Sequence, residues 1–238
     1  MKISIVIPAY NEEKLIGQTL SAASDSLAAA TSDGEIIVVN NLSNDRTTEI
    51  AQRGGARIAQ ETRRNIAAAR NRGAREALGE VIFFIDADTQ ISKRTCQRIV
   101  TVMEDPNCFG GSFWVSYGRF QRGWMKYYSM AWKFWAKIFN MRQGAAQFCR
   151  KSAFEQVGGF DDTIFMGEDV DFYWRLTSVA KENGGYLKNI DDVEVLTSPR
   201  RFDKMSILRT LVLTHPFFII LFRKRIDAWK EWYEKPVR

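Results

Sequence analysis

The sequence predicts an α/β protein: a mostly parallel, Rossmann-like sheet flanked by helices, with a helical extension at the C-terminus. Three apolar runs of strand length, ISIVIP from Ile3, EIIVVN from Glu35 and VIFFID from Val81, are separated by stretches long enough for a helix and a return. That alternation is the signature of βαβ units, whose right-handed crossovers bring the ends of successive parallel strands to one rim. Each run also stops abruptly in polar residues, at Pro8 to Glu12, Asn40 to Asp45 and Asp86 to Asp88, so these three segments are expected to meet where ligands bind in open α/β sheets.

The elements follow in order. After ISIVIP comes a helix from about Glu12 to Ala30, with Asn11 as its cap and acidic residues in its first turn. EIIVVN, a helix near Asp45 to Arg53, ARIAQ as a strand, and a helix from about Ile66 to Leu78 complete the approach to VIFFID. The alanine runs at 28–30 and 67–69 are good helix formers. From about residue 107 the pattern loosens into a strand, FGGSFWVSYG, a helix over 119–139 and a short strand, GAAQFCR. Gly158 and Gly159 suit a tight turn, Gly167 ends a loop, and Glu168, Asp169 and Asp171 open a helix whose dipole favours carboxylates. Asp171 and Arg175 stand i, i+4 and are expected to pair. Without a Gly/Ser or Pro-rich linker, a repeat or a low-complexity tract, the 238 residues are expected to share one core.

Composition narrows the setting. The three cysteines, Cys96, Cys108 and Cys149, are odd in number and match no metal-ligand spacing, which points to buried thiols in a reducing compartment. MKISIVIPAY reads as a first strand and not as a secretion signal, so a cytoplasmic location is expected. The net charge of +6 is unevenly placed: residues 113–154 carry eight Lys or Arg and no acid, and residues 200–238 carry ten against four. Such concentrations suit nucleic acid, anionic lipid or a phosphorylated substrate, and charge alone does not choose among them.

The helix over 119–139 is basic and amphipathic. At 100° per residue Arg122, Lys126, Lys133 and Lys137 fall within about 60° of one another, with Phe120, Trp124, Tyr127, Ala131, Trp135 and Ile138 on the opposite side. The aromatic side docks on the core, or it meets a membrane interface. LVLTHPFFIILF at 211–222 is too short to span a bilayer and is either docked or interfacial, bordered by Arg223, Lys224 and Arg225. The single histidine, His215, has apolar neighbours and reads as structural.

Asp86 and Asp88 carry the first chemical signal. Two carboxylates at one strand end repel unless a cation or donors compensate them, and a divalent metal with oxygen ligands is the natural guest.

With its surroundings this triplet resembles the inverting family-2 glycosyltransferases, which share the nucleotide-sugar-binding fold called GT-A. The resemblance runs from Ile3 to about Phe202 and rests on SIVIPAYNEE, EIIVVNNLSND, AAARNRGAREALGEVIFFIDADT and GGFDDTIFMGEDVDFYWRL. It implies a transferase domain over 1–202, with a nucleotide-binding half to about 106 and an acceptor-binding half beyond, followed by the extension at 203–238. It implies that Pro8, Ala9, Tyr10 and Glu12 line the nucleoside pocket, that Asn40 stands where relatives commonly place a base-contacting aspartate, and that Arg64, beside Arg63, contacts base or phosphate. Asp88 would bind Mg²⁺ or Mn²⁺ with Asp86 beside it and Ala87 between them, the cation bridging the diphosphate of the donor. Many relatives add a metal-binding histidine after the last strand; Thr197 and Ser198 occupy that region here, with Arg200 and Arg201 near the phosphates. Asp169 matches the general base, supported by Gly167, Glu168 and Asp171.

The expected activity is therefore metal-dependent, inverting transfer of a hexosyl group from a UDP- or GDP-linked donor to a sugar or lipid-linked acceptor of the cell envelope, at the inner face of the membrane and without nucleic acid. Two rivals remain. A nucleotidyltransferase would want a Gly-rich phosphate loop after the first strand, and PAYNEEK has no glycine. A catalytically weak, membrane-associated binding protein of the same fold would fit Asn40 and the missing histidine.

Overall fold

The computed structural model describes residues 1–30, 33–118, 123–204, 206–213 and 215–229. The elements are, in order, β1 (Ile3–Ala9), α1 (Ile16–Ala29), β2 (Gly34–Asn40), α2 (Thr47–Arg53), β3 (Arg57–Gln60), α3 (Ile66–Glu76), β4 (Val81–Ile85), β5 (Thr89–Ile91), α4 (Thr95–Met103), β6 (Cys108–Tyr117), α5 (Trp124–Ile138), β7 (Ala146–Arg150), α6 (Lys151–Val157), α7 (Glu168–Glu182), β8 (Tyr186–Thr197), α8 (Arg200–Lys204), α9 (Ile207–Leu213) and α10 (Pro216–Phe222). The strands form one eight-stranded sheet in the order β3-β2-β1-β4-β7-β6-β8-β5. The β3-β2-β1-β4 half is wholly parallel, as the alternation predicts. The other half is mixed, because β7 runs antiparallel to both β4 and β6 while β6 and β8 are parallel.

Continuous apolar runs make the two central strands buried on both faces. Ile5, Ile7, Phe83 and Ile85 pack with α1 on one side, and Val6, Ile82 and Phe84 pack with α3 on the other, the period-two alternation of a strand. Phe84 lies edge-on to Phe160 at 5.1 Å and to Phe172 at 6.3 Å, and Phe160 stacks on Phe172 at 4.2 Å. Aromatic pairs of this kind are worth about 0.5–1.5 kcal/mol each beyond area burial. This cluster ties the start of α7 to the end of β4, the two places where the sequence carries its paired acids.

Several boundaries differ from the sequence reading. The first helix begins at Ile16, with no side-chain cap. Asn11 instead takes a left-handed conformation, φ 53°, accepts from the Asn44 N–H at 2.9 Å and donates its own N–H to Ser43, stitching the first rim loop to the second. β5, α4 and α6 fill segments to which the sequence reading assigned no element, although Cys96, Ile99 and Met103 of α4 are buried at helical spacing. On α5 the docked face holds Met125 and Ala136, whereas Tyr127 and Ile138, on the side read as docked on the core or meeting a membrane interface, are 75% and 55% exposed. The reason is steric: unbranched and small side chains let the helix approach closely. Arg122 and Phe120 lie outside the described residues, as do the side chains of Ala131, Lys133, Trp135, Lys137 and Arg201. His215, read as structural among apolar neighbours, stands exposed between α9 and α10. The three cysteines are buried, and burial pushes the Cys96 thiol up to about 11. Among the described residues no helix is long and apolar enough to cross a membrane.

Candidate active site

The rim segments do converge. A cavity of about 410 Å³ is walled on one side by Pro8, Ala9, Tyr10, Glu12, Asn41 and Arg64 from the first rim, with Asp86, Ala87 and Asp88 at its floor. Its other walls come from the second half of the chain: Phe113, Trp114, Val115, Met125, Tyr128, Met141, Gly167, Glu168, Asp169, Arg200 and Ile219. The first wall presents Tyr10, Glu12 and Arg64; the second joins an apolar side, from Phe113, Val115, Met125, Met141 and Ile219, to the acidic corner and to Arg200. The Arg64 guanidinium lies 3.9 Å from the centre of the Tyr10 ring, a cation–π contact that presents a flat, cationic edge to the cavity. Asn41 donates to the backbone oxygens of Glu61, at 2.9 Å, and Arg63, at 2.6 Å, and so fixes the loop that carries Arg64.

The acidic corner is organised by Arg70, a residue the sequence reading left unassigned. It sits on α3 with 2% of its side chain exposed and donates to Glu168 at 2.7 Å and to Asp86 at 2.9 Å. The signal was a lone charge on the alanine-rich face of that helix, among Ala67, Gly73 and Ala74, all buried. Burial opposes its charge, yet the facing carboxylates of Asp86, Glu168 and Asp169 hold its pKa above the ordinary value. Asn71, one position on, grips the Phe160 backbone through both its N–H and its oxygen, each at 2.8 Å, and so holds the loop before α7 against α3.

Asp169 is half-buried against this corner. Its Oδ2 accepts from the Gly144 N–H at 2.6 Å and its Oδ1 from the Val170 N–H at 2.8 Å. Burial raises its pKa, with the Asp86 charge adding to the rise, while Arg70 and the two N–H donors oppose it. Burial and the neighbouring Asp169 push Glu168 up to about 7 in spite of Arg70. Gly144 is required by space: a Cβ there would lie 2.7 Å from Arg70 Nη2 and 2.7 Å from Asp169 Cβ. Gly167 precedes the two acids at φ 79°, the left-handed turn that starts α7.

Asp88 is partnered by Thr197, which donates at 3.2 Å, and by Arg200 at 3.3 Å, and Arg200 also bridges to both oxygens of Glu12. Thr197, at the end of β8, and Arg200, at the start of α8, thus hold Asp88 from one side. Among the described residues no three His, Cys, Asp or Glu side chains converge on a common point. Two hard carboxylates at one strand end are nonetheless a fitting donor set for Mg²⁺ or Mn²⁺, which take one or two carboxylates when phosphate oxygens and water complete an octahedral shell.

Three predicted residues stand apart from the cavity. Asn40 spends its side chain on Gln60, at 2.9 Å, and on the Ser43 N–H, at 3.0 Å; its neighbour Asn41 lines the cavity instead. Asp171 pairs with Arg175 at 2.8 Å, as its spacing predicts, and with Arg223 at 3.3 Å, clamping the C-terminal segment to α7. Arg63 pairs with Asp162 at 2.6 Å and does not line the cavity.

Comparison with known proteins gives a consistent family. A family model described as glycosyl transferase family 2 matches residues 4–158, more than half the chain. Glycosyltransferase AglE of Haloferax volcanii is 27% identical over 189 residues, which cover 75% of this chain and 62% of that protein. Two other curated relatives are spanned over only 30% and 38% of their lengths. The fold is shared with the crystal structure of S. aureus TarS 1–349 in complex with UDP-GlcNAc, at a TM-score of 0.64 and 19% identity, covering 83% of this chain and 58% of that one. It is also shared with mannosyltransferase PcManGT from Pyrobaculum calidifontis in complex with GDP-Man and Mn²⁺, at a TM-score of 0.60 and 21% identity, covering 82% and 56%.

Proposed function

This chain belongs to glycosyl transferase family 2, and we propose that it moves one hexosyl group, with inversion, from a nucleoside diphosphate donor to an acceptor hydroxyl. The observation that carries this reading is the placement of Asp169, half-buried and with a raised pKa, across one cavity from the Asp86–Asp88 pair and the Tyr10–Arg64 wall. Binding of UDP-GlcNAc and of GDP-Man with Mn²⁺ by proteins of the same fold supports a UDP or GDP donor.

In this reading Tyr10 and Arg64 pack against the nucleoside, Glu12 accepts from ribose or base, and Asp88 with Asp86 holds Mg²⁺ or Mn²⁺ beside the diphosphate. The cation, when bound, stabilises the negative charge that builds on the departing diphosphate. Arg200 adds a fixed positive charge at the same end. The acceptor oxygen attacks C1 as the bond from C1 to the diphosphate oxygen breaks, and Asp169 takes the acceptor's proton on a carboxylate oxygen. The two backbone donors fix that carboxylate's orientation, and burial makes it a better base than an exposed aspartate. Glu168 and Arg70 hold the corner's charge balance without touching the reacting atoms.

The test uses water as a surrogate acceptor. Proton NMR of slow donor hydrolysis with Mn²⁺, read before mutarotation, is expected to show a β-sugar from an α-linked donor. An α-sugar as first product would refute inversion by a single carboxylate.

A further inference from the structure

We infer that the outer face of α5 is a docking surface for an anionic lipid bilayer, which seats the apolar end of the cleft against the membrane. The inference goes beyond the proposed transfer and does not depend on it.

The helix is two-faced in an unusual way. Met125 and Ala136 are buried, and Met125 and Tyr128 help to wall the cleft. On the opposite side Tyr127, Met130, Phe134 and Ile138 are 75%, 59%, 60% and 55% exposed, at the i, i+3, i+7, i+11 spacing of a single helical stripe. A core-docked helix shows its polar side to water; this one shows four large apolar residues in line. The patch continues past the helix end, where Phe139 is exposed and the Trp174 indole N–H donates to the Phe139 and Asn140 backbone oxygens at 3.1 and 3.2 Å, leaving its ring 39% exposed. Tyr and Trp at the edge of an apolar patch are the side chains that headgroup regions accommodate.

Charge selects the occupant. Lys126 is exposed on the same helix, and the sequence over 119–139 carries five Lys or Arg and no acid. A second copy of this chain would bring the same positive charge against itself, whereas an anionic bilayer complements it and also takes up the apolar stripe. The exposed Leu208, Leu211, Val212 and Leu221 repeat the pattern on α9 and α10, the latter of which reaches the cleft through Ile219.

Co-sedimentation with phosphatidylcholine–phosphatidylglycerol vesicles and with phosphatidylcholine vesicles is the test, using the full chain. Binding to the anionic vesicles is expected at low salt and is expected to persist in part at about 1 M salt, where the Debye length is ~3 Å and only apolar insertion remains. Met130→Glu combined with Phe134→Glu should weaken that binding by about tenfold or more while leaving the melting temperature and donor binding unchanged, since neither residue lines the cleft. Absence of binding to anionic vesicles at low salt overturns the inference. So does complete loss of binding at high salt, an unaffected double variant, or a wild-type dimer that the double variant converts to monomer without any vesicle binding.

Discussion

Arg70 and Glu168, 98 residues apart in sequence, meet at 2.7 Å in the acidic corner of the cleft, and the same guanidinium reaches Asp86 at 2.9 Å. One buried cation thus ties the helix after β3, the end of β4 and the start of α7 into a single charge-balanced unit. Removing it strands two carboxylates. Arg70→Met is therefore expected to destabilise the fold by about 3–5 kcal/mol, the usual cost of breaking one side of a buried ion pair. Urea denaturation measures it, and a change within about 1 kcal/mol would mean that solvent already screens the corner.

The pH dependence of stability follows from Glu168. Its folded pKa of about 7 lies above the ordinary carboxyl value of 4.5, so between those limits the native state binds a proton that the unfolded chain releases. The sign is definite: this group's contribution to stability is full below 4.5 and is lost as pH rises through about 7. Glu168→Gln cannot ionise, so the melting temperature of wild type relative to this variant should fall steadily from about pH 5 to pH 8. A flat difference across that range would place Glu168 in an environment far more solvated than its burial indicates.

Asp169→Asn should separate chemistry from structure. Asparagine keeps the shape but, with one carbonyl oxygen, can accept from only one of the Gly144 and Val170 N–H groups and cannot take a proton, so turnover should drop by on the order of 10²-fold or more with donor affinity retained and only a modest loss of stability. In the wild type, raised pKa values in this corner predict that turnover declines as pH falls, as Asp169 loses its ionised form. Unchanged turnover in the folded variant would assign the proton to another group.

Gly144→Ala tests the close approach that positions Asp169. The added methyl has no room between Arg70 and Asp169, so a stability loss of about 1–3 kcal/mol is expected together with a fall in kcat that exceeds any rise in KM. A variant with normal kcat would show that the Asp169 carboxylate does not depend on the Gly144 N–H.

The strand ends were legible because buried parallel strands must be apolar along their length, so polar residues that follow them mark the rim. Asp86, Asp88, Tyr10 and Asp169 all emerge from that rule and from the family resemblance. Arg70 did not, because a charge on an alanine-rich helix face reads as solvated until its distant partners are known. Asn40 and Asn41 show the limit in another way: adjacent amides at a strand end point to opposite sides, and only the three-dimensional loop decides which one reaches the ligand. The face of α5 was left open between core and membrane interface for a related reason. Its aromatic residues look like core, yet the side that packs closely carries Met125 and Ala136.

The most direct test is calorimetric titration of UDP- and GDP-sugars into the wild-type protein and into Asp88→Ala, each with and without Mn²⁺. The account predicts that at least one donor binds the wild type more tightly with Mn²⁺ present, and that Asp88→Ala, still folded, loses this cation-dependent gain. Donor affinity indifferent to Mn²⁺ in the wild type, or a cation-dependent gain that survives in Asp88→Ala, would contradict it.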